Sequence, residues 1–272
     1  MSASPQDIWQ VPAYLPYVQP ELNEEAVKAA EQKLGVRLPE DFLALLREQN
    51  GGYLRYSMED LPHELIRGIG PNYPSLTDFD WEDDQEHVSF ELQGLIPFDG
   101  DGHWHLCLDY RGDREVPAVA YIDVECDEEQ EIASSFEDYL KLLKVEVEDS
   151  DFVLPAVDSV DDLLAAIGSE MGVAFEPPDS WAHGYPQHRA RGPSVKPEWI
   201  WISPNLVRRG FVREDDARYE ELRDRLPGLA PRYPGLPDSS CILSVTDGLR
   251  ARILAACAAR SIEIRPLAEY VI

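Results

Sequence analysis

The chain has 272 residues, 44% of them hydrophobic, which supports an ordinary globular core without disulfides or a structural metal. Its formal net charge of −28 argues against direct binding to nucleic acid or to an anionic membrane, because phosphate groups would be repelled. Prolines near the N-terminus and the lack of a long apolar run predict a cytoplasmic protein without a signal peptide or a membrane span.

The negative charge is concentrated in the first half of the chain. Residues 1–150 carry 34 acidic and 10 basic side chains, a net charge of −24, whereas residues 151–272 carry 18 and 14, a net charge of −4. A surface this acidic attracts a basic protein, although solubility alone is an equally ordinary reason for acidic composition. We therefore expect any charge-driven binding to lie in the first half.

Two short helices are predicted near the N-terminus. Asn23 can cap the first helix and Gly35 can end it, since these residue types favour those positions. Pro39 suits the first position of the second helix, and Asn50-Gly51-Gly52 supplies its stop. A capping-box pair, Ser134 with Glu137, predicts a third helix at the end of this half.

A sheet is predicted between these helices. Alternation of apolar and polar side chains favours strands over residues 53–56, 88–92, 104–110 and 116–122. Two acidic runs, residues 78–86 and 125–131, are predicted to be exposed loops.

The second half is predicted to be a smaller α/β domain. Residues 145–158 lack a clear period, so we place the domains at residues 1–149 and 150–272. Ser159 can cap a helix that Gly168 ends, and residues 176–197 read as a long Pro- and Gly-rich loop. Further elements are a strand at 199–202, a charged helix at 214–226, and a strand, helix and strand over 241–245, 249–259 and 262–264.

The strongest candidate for chemistry is the segment from Asp99 to His105, with two carboxylates and two imidazoles. It begins like a calcium-binding loop, but Trp104 stands where that loop requires glycine and Tyr110 where it requires a bidentate acid. His103 and His105 share one face of a strand, so a metal-dependent hydrolase is one interpretation, and a plain Gly-rich turn is the simpler one. We predict no catalytic residue, no metal ligand and no cofactor.

An interaction surface is the remaining prediction from the residues. Tryptophan beside carboxylates is typical of protein interfaces, where the ring supplies buried area and the charges steer a cationic partner. The predicted partner-binding residues are Asp80, Trp81, Glu82, Asp83, Asp84, Glu86, Asp99 and Asp101.

Three segments in series resemble the SUKH superfamily, which includes Smi/Knr-type proteins and bacterial immunity proteins. The first is Leu-Pro with an aromatic residue, running on to Asn-Gly-Gly over residues 38–52. The second is a Gly-rich turn leading into a strand over residues 95–109, and the third is a closing helix over residues 133–140. The resemblance covers about residues 20–145.

This resemblance implies a fold and a role. The implied fold is α+β, with helices packed on a mixed, largely antiparallel sheet. The implied role is to bind and neutralise a cognate bacterial toxin, such as a nuclease or another secreted effector, and no catalytic residues are implied. An intracellular scaffold or regulatory adaptor of the same fold is the alternative.

Overall fold

In the computed structural model, residues 8–58, 61, 63–81, 84–112, 115–145 and 147–271 are described. The chain divides into two compact units, with the boundary between Lys144 and Val145. Helices account for 24% of the residues and strands for 28%, which confirms the predicted α+β class. None of the described helices combines the length and apolar character needed to cross a membrane.

Among its described residues, the N-terminal unit contains three α-helices and a series of strands. The helices are α1 (Glu24–Leu34), α2 (Glu40–Glu48) and α3 (Phe136–Leu140). The strands are β1 (Ala13–Tyr14), β2 (Gly52–Tyr53), β3 (Tyr56–Ser57), β4 (Leu65–Ile66), β5 (Leu95–Gly100), β6 (Trp104–Asp109), β7 (Ala118–Asp123), β8 (Glu128–Ala133) and, across the boundary, β9 (Lys144–Val145).

The helices begin and end close to the predicted positions. The Asn23 side chain accepts hydrogen bonds from the backbone NH groups of Glu25 and Ala26 in the first turn of α1, and Gly35 ends this helix in the left-handed conformation at φ 73°. Pro39 is the residue before α2 and not its first helical residue. Ser135, one position after the predicted Ser134, caps α3 by accepting from the Asp138 NH.

The central sheet has the order β5-β6-β7-β8, and all three pairings are antiparallel. Leu106 and Leu108 pack against the helices on one face, while Cys107 and Ile122 belong to a second apolar cluster on the other. Both faces of the sheet are therefore covered by protein.

Residues 78–81 and 84–92 cover the second face of the sheet. Trp81, Val88 and Phe90 pack on its apolar cluster, and Leu92 lies within it. The predicted strand at 88–92 is wrong, because its apolar side chains lie on a sheet without pairing in it. The prediction for residues 125–131 is also wrong in part: β8 begins at Glu128 and forms an exposed edge strand, where burial imposes no alternation.

The C-terminal unit is built on a five-stranded sheet of order β11-β12-β16-β10-β17, again antiparallel at each pairing. The strands of this unit, inside and outside that sheet, are β10 (Asp151–Leu154), β11 (His188–Arg191), β12 (Trp199–Pro204), β13 (Leu206–Arg208), β14 (Gly210–Phe211), β15 (Leu229–Pro231), β16 (Cys241–Val245) and β17 (Arg265–Pro266). Its helices are α4 (Val160–Met171), α5 (Tyr219–Leu222), α6 (Arg250–Ala259) and α7 (Ala268–Val271). Apolar side chains of α4 and α6 pack on one face of the sheet.

Several details of this unit differ from the prediction. Helix α4 runs past Gly168 and ends at Gly172, whose φ is 68°. The charged helix predicted over 214–226 is only the single turn α5, and the long loop over 176–197 includes strand β11. Residues 262–264 are not a strand; β17 follows them and pairs with β10.

Candidate functional site

The acidic run of residues 78–86 is fixed to the sheet by its own aromatic side chains. The indole of Trp81 donates a hydrogen bond of 2.9 Å to the Leu95 carbonyl oxygen, and its ring centroid lies 4.6 Å from that of Phe79. Asp80 lies between these two aromatic residues in the sequence, and Asp84 and Glu86 follow them. The side chains of Asp80 and Glu86 are exposed and that of Asp84 is half-buried. The same short segment therefore anchors itself with aromatic rings and presents carboxylates outward.

The segment that directly follows the first acidic run contacts the second acidic run. The Ser89 NH donates to Asp127 Oδ1 at 2.6 Å. Arg111 links the same parts again, because it donates to the Glu91 carbonyl oxygen at 3.0 Å and pairs with Glu129 at 2.7 Å. We use the name acidic surface for the carboxylates of Asp80, Asp84, Glu86, Glu125, Asp127 and Glu128. Of the predicted partner-binding residues, Glu82 and Asp83 lie outside the described residues.

Asp99, which was predicted for this surface, lies instead in the interior with an exposed fraction of 3%. Strand β5 has a bulge between Pro97 and Asp99, which brings Asp99 opposite Leu106. Opposed residues share a face of the sheet, so the bulge turns Asp99 toward the helices. Its carboxylate accepts hydrogen bonds from the NH groups of Glu64, Leu65 and Gly100, at 2.8 to 3.3 Å. Asp99 is thus a structural acceptor and not part of the acidic surface.

A buried chain of three polar side chains ends on this carboxylate. His63 Nδ1 lies 2.7 Å from Asp99 Oδ2, and the Tyr139 hydroxyl donates to His63 Nε2. Burial, and then the negative charge of Asp99, hold the pKa of Tyr139 well above its usual range, so the phenol stays neutral and can donate. No pattern in the sequence indicates this series of hydrogen bonds, because its three side chains come from separate segments.

The two histidines of the proposed metal site do not converge. The side chain of His103 is 64% exposed and pairs with Glu125 at 2.7 Å. His105 is fully buried against Phe79 and Trp81, and burial, followed by the charge of Arg67, lowers its pKa to about 4. Within the described ranges no three His, Cys, Asp or Glu side chains are grouped to hold a metal ion.

A cleft of about 410 Å³ opens beside the buried chain, in the N-terminal unit. We call it the aromatic cleft, because four of its lining residues are Tyr17, Tyr53, Tyr73 and Trp104. Its charged lining residues are Glu64, Arg67, Asp99 and Asp101. Asp99 and Asp101 were predicted as binding residues; the tyrosines and Arg67 come from segments that show no shared pattern in the sequence.

Two buried amides hold the loop that forms one wall of this cleft. The Gln19 side chain donates to the Pro74 carbonyl oxygen at 3.0 Å and accepts from the Asn72 NH at 3.0 Å. Asn50 donates to the carbonyl oxygens of Pro20 and Ile69 at 2.6 and 2.8 Å. The asparagine of the Asn-Gly-Gly motif therefore ties together three stretches of backbone.

Gly51, which follows Asn50, lies where two of these backbone stretches come close together. Gly51 has a φ of 87°, and a Cβ there would lie 2.5 Å from the Gly68 backbone nitrogen. Conversely, a Cβ on Gly68 would lie 2.3 Å from the Asn50 carbonyl oxygen. Only glycine permits two backbones to approach this closely.

The fold and these surfaces define the N-terminal unit as an α+β domain that combines an acidic surface with an aromatic cleft. Residues 21–142 match the model of the SMI1 / KNR4 family (SUKH-1), and this part of the chain belongs to the SUKH superfamily. The match is consistent with an immunity-protein fold. Comparison with curated proteins gives no match. Residues 143–272 lie outside the matched segment.

Proposed function

We propose that this protein is an immunity protein that binds and neutralises a cognate bacterial toxin through its acidic surface, without catalysing a reaction. The observation that carries the proposal is the anchoring of the acidic run by Trp81, whose indole bond to Leu95 fixes carboxylates that face outward. Membership of the matched segment in the SUKH superfamily supports the same role.

Charge and rigidity together explain how such a surface would inhibit. A toxin that acts on nucleic acid needs a basic surface for its substrate, and a fixed set of carboxylates competes for that surface. Because the acidic run is already held by its aromatic rings, little conformational entropy is lost on binding. Long-range attraction between opposite charges also speeds association, and salt weakens this attraction.

The direct test is co-purification of the full chain with the product of the adjacent gene, followed by an assay of that partner's activity. The triple variant Asp80→Lys, Asp84→Lys and Glu86→Lys is expected to weaken the complex roughly tenfold or more, because it replaces attraction by repulsion. A matched control reverses three exposed carboxylates of the C-terminal unit, Glu214, Glu220 and Asp224, and changes the net charge equally.

The outcomes separate the alternatives. Loss of binding in the first variant but not in the control supports the acidic surface, and inhibition of the partner supports the immunity role. A partner that binds with undiminished activity would favour the scaffold or adaptor. Equal effects of the two variants, or binding that is insensitive to salt, would contradict docking through this surface.

A further inference from the structure

We infer that the aromatic cleft receives one basic side chain, Arg or Lys, of the protein partner. This inference takes the existence of a protein partner from the proposed function, but the chemistry that selects the side chain belongs to the cleft itself. In this arrangement the acidic surface attracts the partner, and the cleft anchors it.

Aromatic rings form the walls into which such a side chain would fit. The ring centroids of Tyr17 and Tyr53 lie 5.2 Å apart, with 46° between the ring planes. Trp104 is held in place by stacking on Tyr121 at 6.3 Å. Tyr73 is 78% exposed, which is unusual for so large a ring and leaves its face open to a guest. Faces of Tyr and Trp attract a cation, and Arg in particular stacks on them.

The charges that line the cleft favour a cation as well. Glu64, Asp99 and Asp101 are acidic and Arg67 is basic, so the four charged residues sum to −2. Asp101 accepts hydrogen bonds from the backbone NH groups of His103 and Trp104, at 2.9 and 3.2 Å, and both bonds end on its Oδ1 atom. Neither of these two bonds uses Oδ2, the second oxygen of the carboxylate.

Asp101 also stays ionised over the pH range in which proteins bind. Desolvation is the largest single effect and acts to raise its pKa, but several other effects, led by the backbone NH groups of His103 and Trp104, together outweigh it, and the pKa is lowered. The exposed side chain of Glu64 supplies a second carboxylate at the cleft.

Arg67 does not reverse this preference. Its guanidinium lies over the Phe79 ring at 5.1 Å from the centroid and donates to the Gly100 carbonyl oxygen at 3.3 Å. Its Nε is buried, so a guest cannot reach that atom. The charge of Arg67 also interacts with that of Asp99, which leaves Glu64 and Asp101 as the uncompensated charges.

The cleft can be tested by itself with blocked tripeptides. The full chain is titrated with acetyl-Gly-Arg-Gly-amide, and the aromatic ring signals of the four cleft residues are followed by NMR. We expect saturable shifts with the arginine peptide at millimolar concentration and much weaker shifts with the Gln analogue. The Glu analogue is expected to give none.

Two variants test whether the arginine peptide binds in the aromatic cleft. Asp101→Asn keeps an oxygen that can accept the two NH groups and removes only the charge, while Tyr73→Ala removes an exposed ring. Each variant is expected to bind the arginine peptide about threefold to tenfold more weakly, the range that a single cation–π or exposed charge contact gives. Glu214→Gln, an exposed change in the C-terminal unit, is the control and should leave binding unchanged.

Failure of this inference differs from failure of the proposed function. Tighter binding of the Glu peptide, equal binding of all three peptides, or no saturable shift would overturn the cationic cleft even if the partner still co-purified. Peptide binding that depends on Asp101, combined with no response to reversal of the acidic surface, would uphold the cleft and contradict the proposed docking.

Discussion

Asp99 Oδ2 and His63 Nδ1 lie 2.7 Å apart in the interior of the N-terminal unit, although 36 positions separate them in the sequence. The bond joins the segment before β4 to the end of β5, and Tyr139 extends it to α3. Since Asp99 also lines the aromatic cleft, this buried chain holds one side of the cleft in place.

The Tyr139→Phe variant tests how much this chain stabilises the fold. Removal of the hydroxyl leaves His63 Nε2 buried without its donor, which costs about 1–3 kcal/mol of unfolding free energy. Urea denaturation of the variant measures the loss. Tyr121→Phe is the matched control: its hydroxyl makes only a 3.5 Å contact to Asp123 near the surface, so we expect a change within about 0.5 kcal/mol. Equal effects of the two variants would contradict the structural role of the chain.

His105 is predicted to make stability depend on pH. Its pKa in the folded protein is about 4, below the value of about 6.5 in an unfolded chain, so only the unfolded chain takes up a proton between these values. The contribution of His105 to the free energy of unfolding is therefore constant above pH 6.5 and falls as the pH drops toward 4, by a total of about 3 kcal/mol.

The variant His105→Phe removes this titration. It replaces a buried imidazole, whose nitrogens have no hydrogen-bond partner among the described residues, by a third ring beside Phe79 and Trp81. We expect equal or greater stability at neutral pH and a flatter pH profile in urea denaturation between pH 6.5 and 4. Phe79→Leu repacks the same cluster but keeps the imidazole, so the free energy of unfolding of this variant should still fall between pH 6.5 and 4. If the stability of His105→Phe fell with pH as steeply as that of the wild type, His105 would not be the group responsible.

Gly68→Ala tests the close approach of two backbones at the motif asparagine. The added Cβ would lie 2.3 Å from the Asn50 carbonyl oxygen, so one backbone must move, at a cost of about 2–4 kcal/mol. Gly112→Ala is the control, because φ is 74° there but no atom of the described residues lies within 4 Å of the added Cβ; it should cost about 1 kcal/mol. Thermal unfolding ranks the two, and the reverse order would argue against the tight junction.

Trp81→Phe tests whether the acidic run is held by its indole. A phenyl ring keeps much of the packing but loses the 2.9 Å bond to the Leu95 carbonyl oxygen. We expect about 1 kcal/mol less protection, or roughly fivefold faster amide exchange, across residues 84–92. Trp199→Phe in the C-terminal unit should leave exchange in this segment unchanged. If both variants exchange at the wild-type rate, the indole bond does not hold the run.

Part of the candidate site was predictable because its signals are local. The acidic character of residues 78–86 and the presence of Trp81 within them are visible in the sequence itself. Asp99 was predicted to be exposed in a Gly-rich turn, but it lies in β5, and the bulge in this strand turns its side chain toward the helices. Tyr17, Tyr53 and Tyr73 were missed, since they meet only through the packing of separate segments.

The sequence by itself determined both ends of α1, strands β6 and β7 of the central sheet, the acidic asymmetry and the family motifs. These features depend on interactions within a few residues of one another, such as the Asn23 cap, or on composition alone. Only the tertiary structure decided which carboxylates face outward, which one is buried, and which rings form a cleft. Those outcomes depend on strand register and on contacts between residues far apart in the chain, which short-range patterns do not encode.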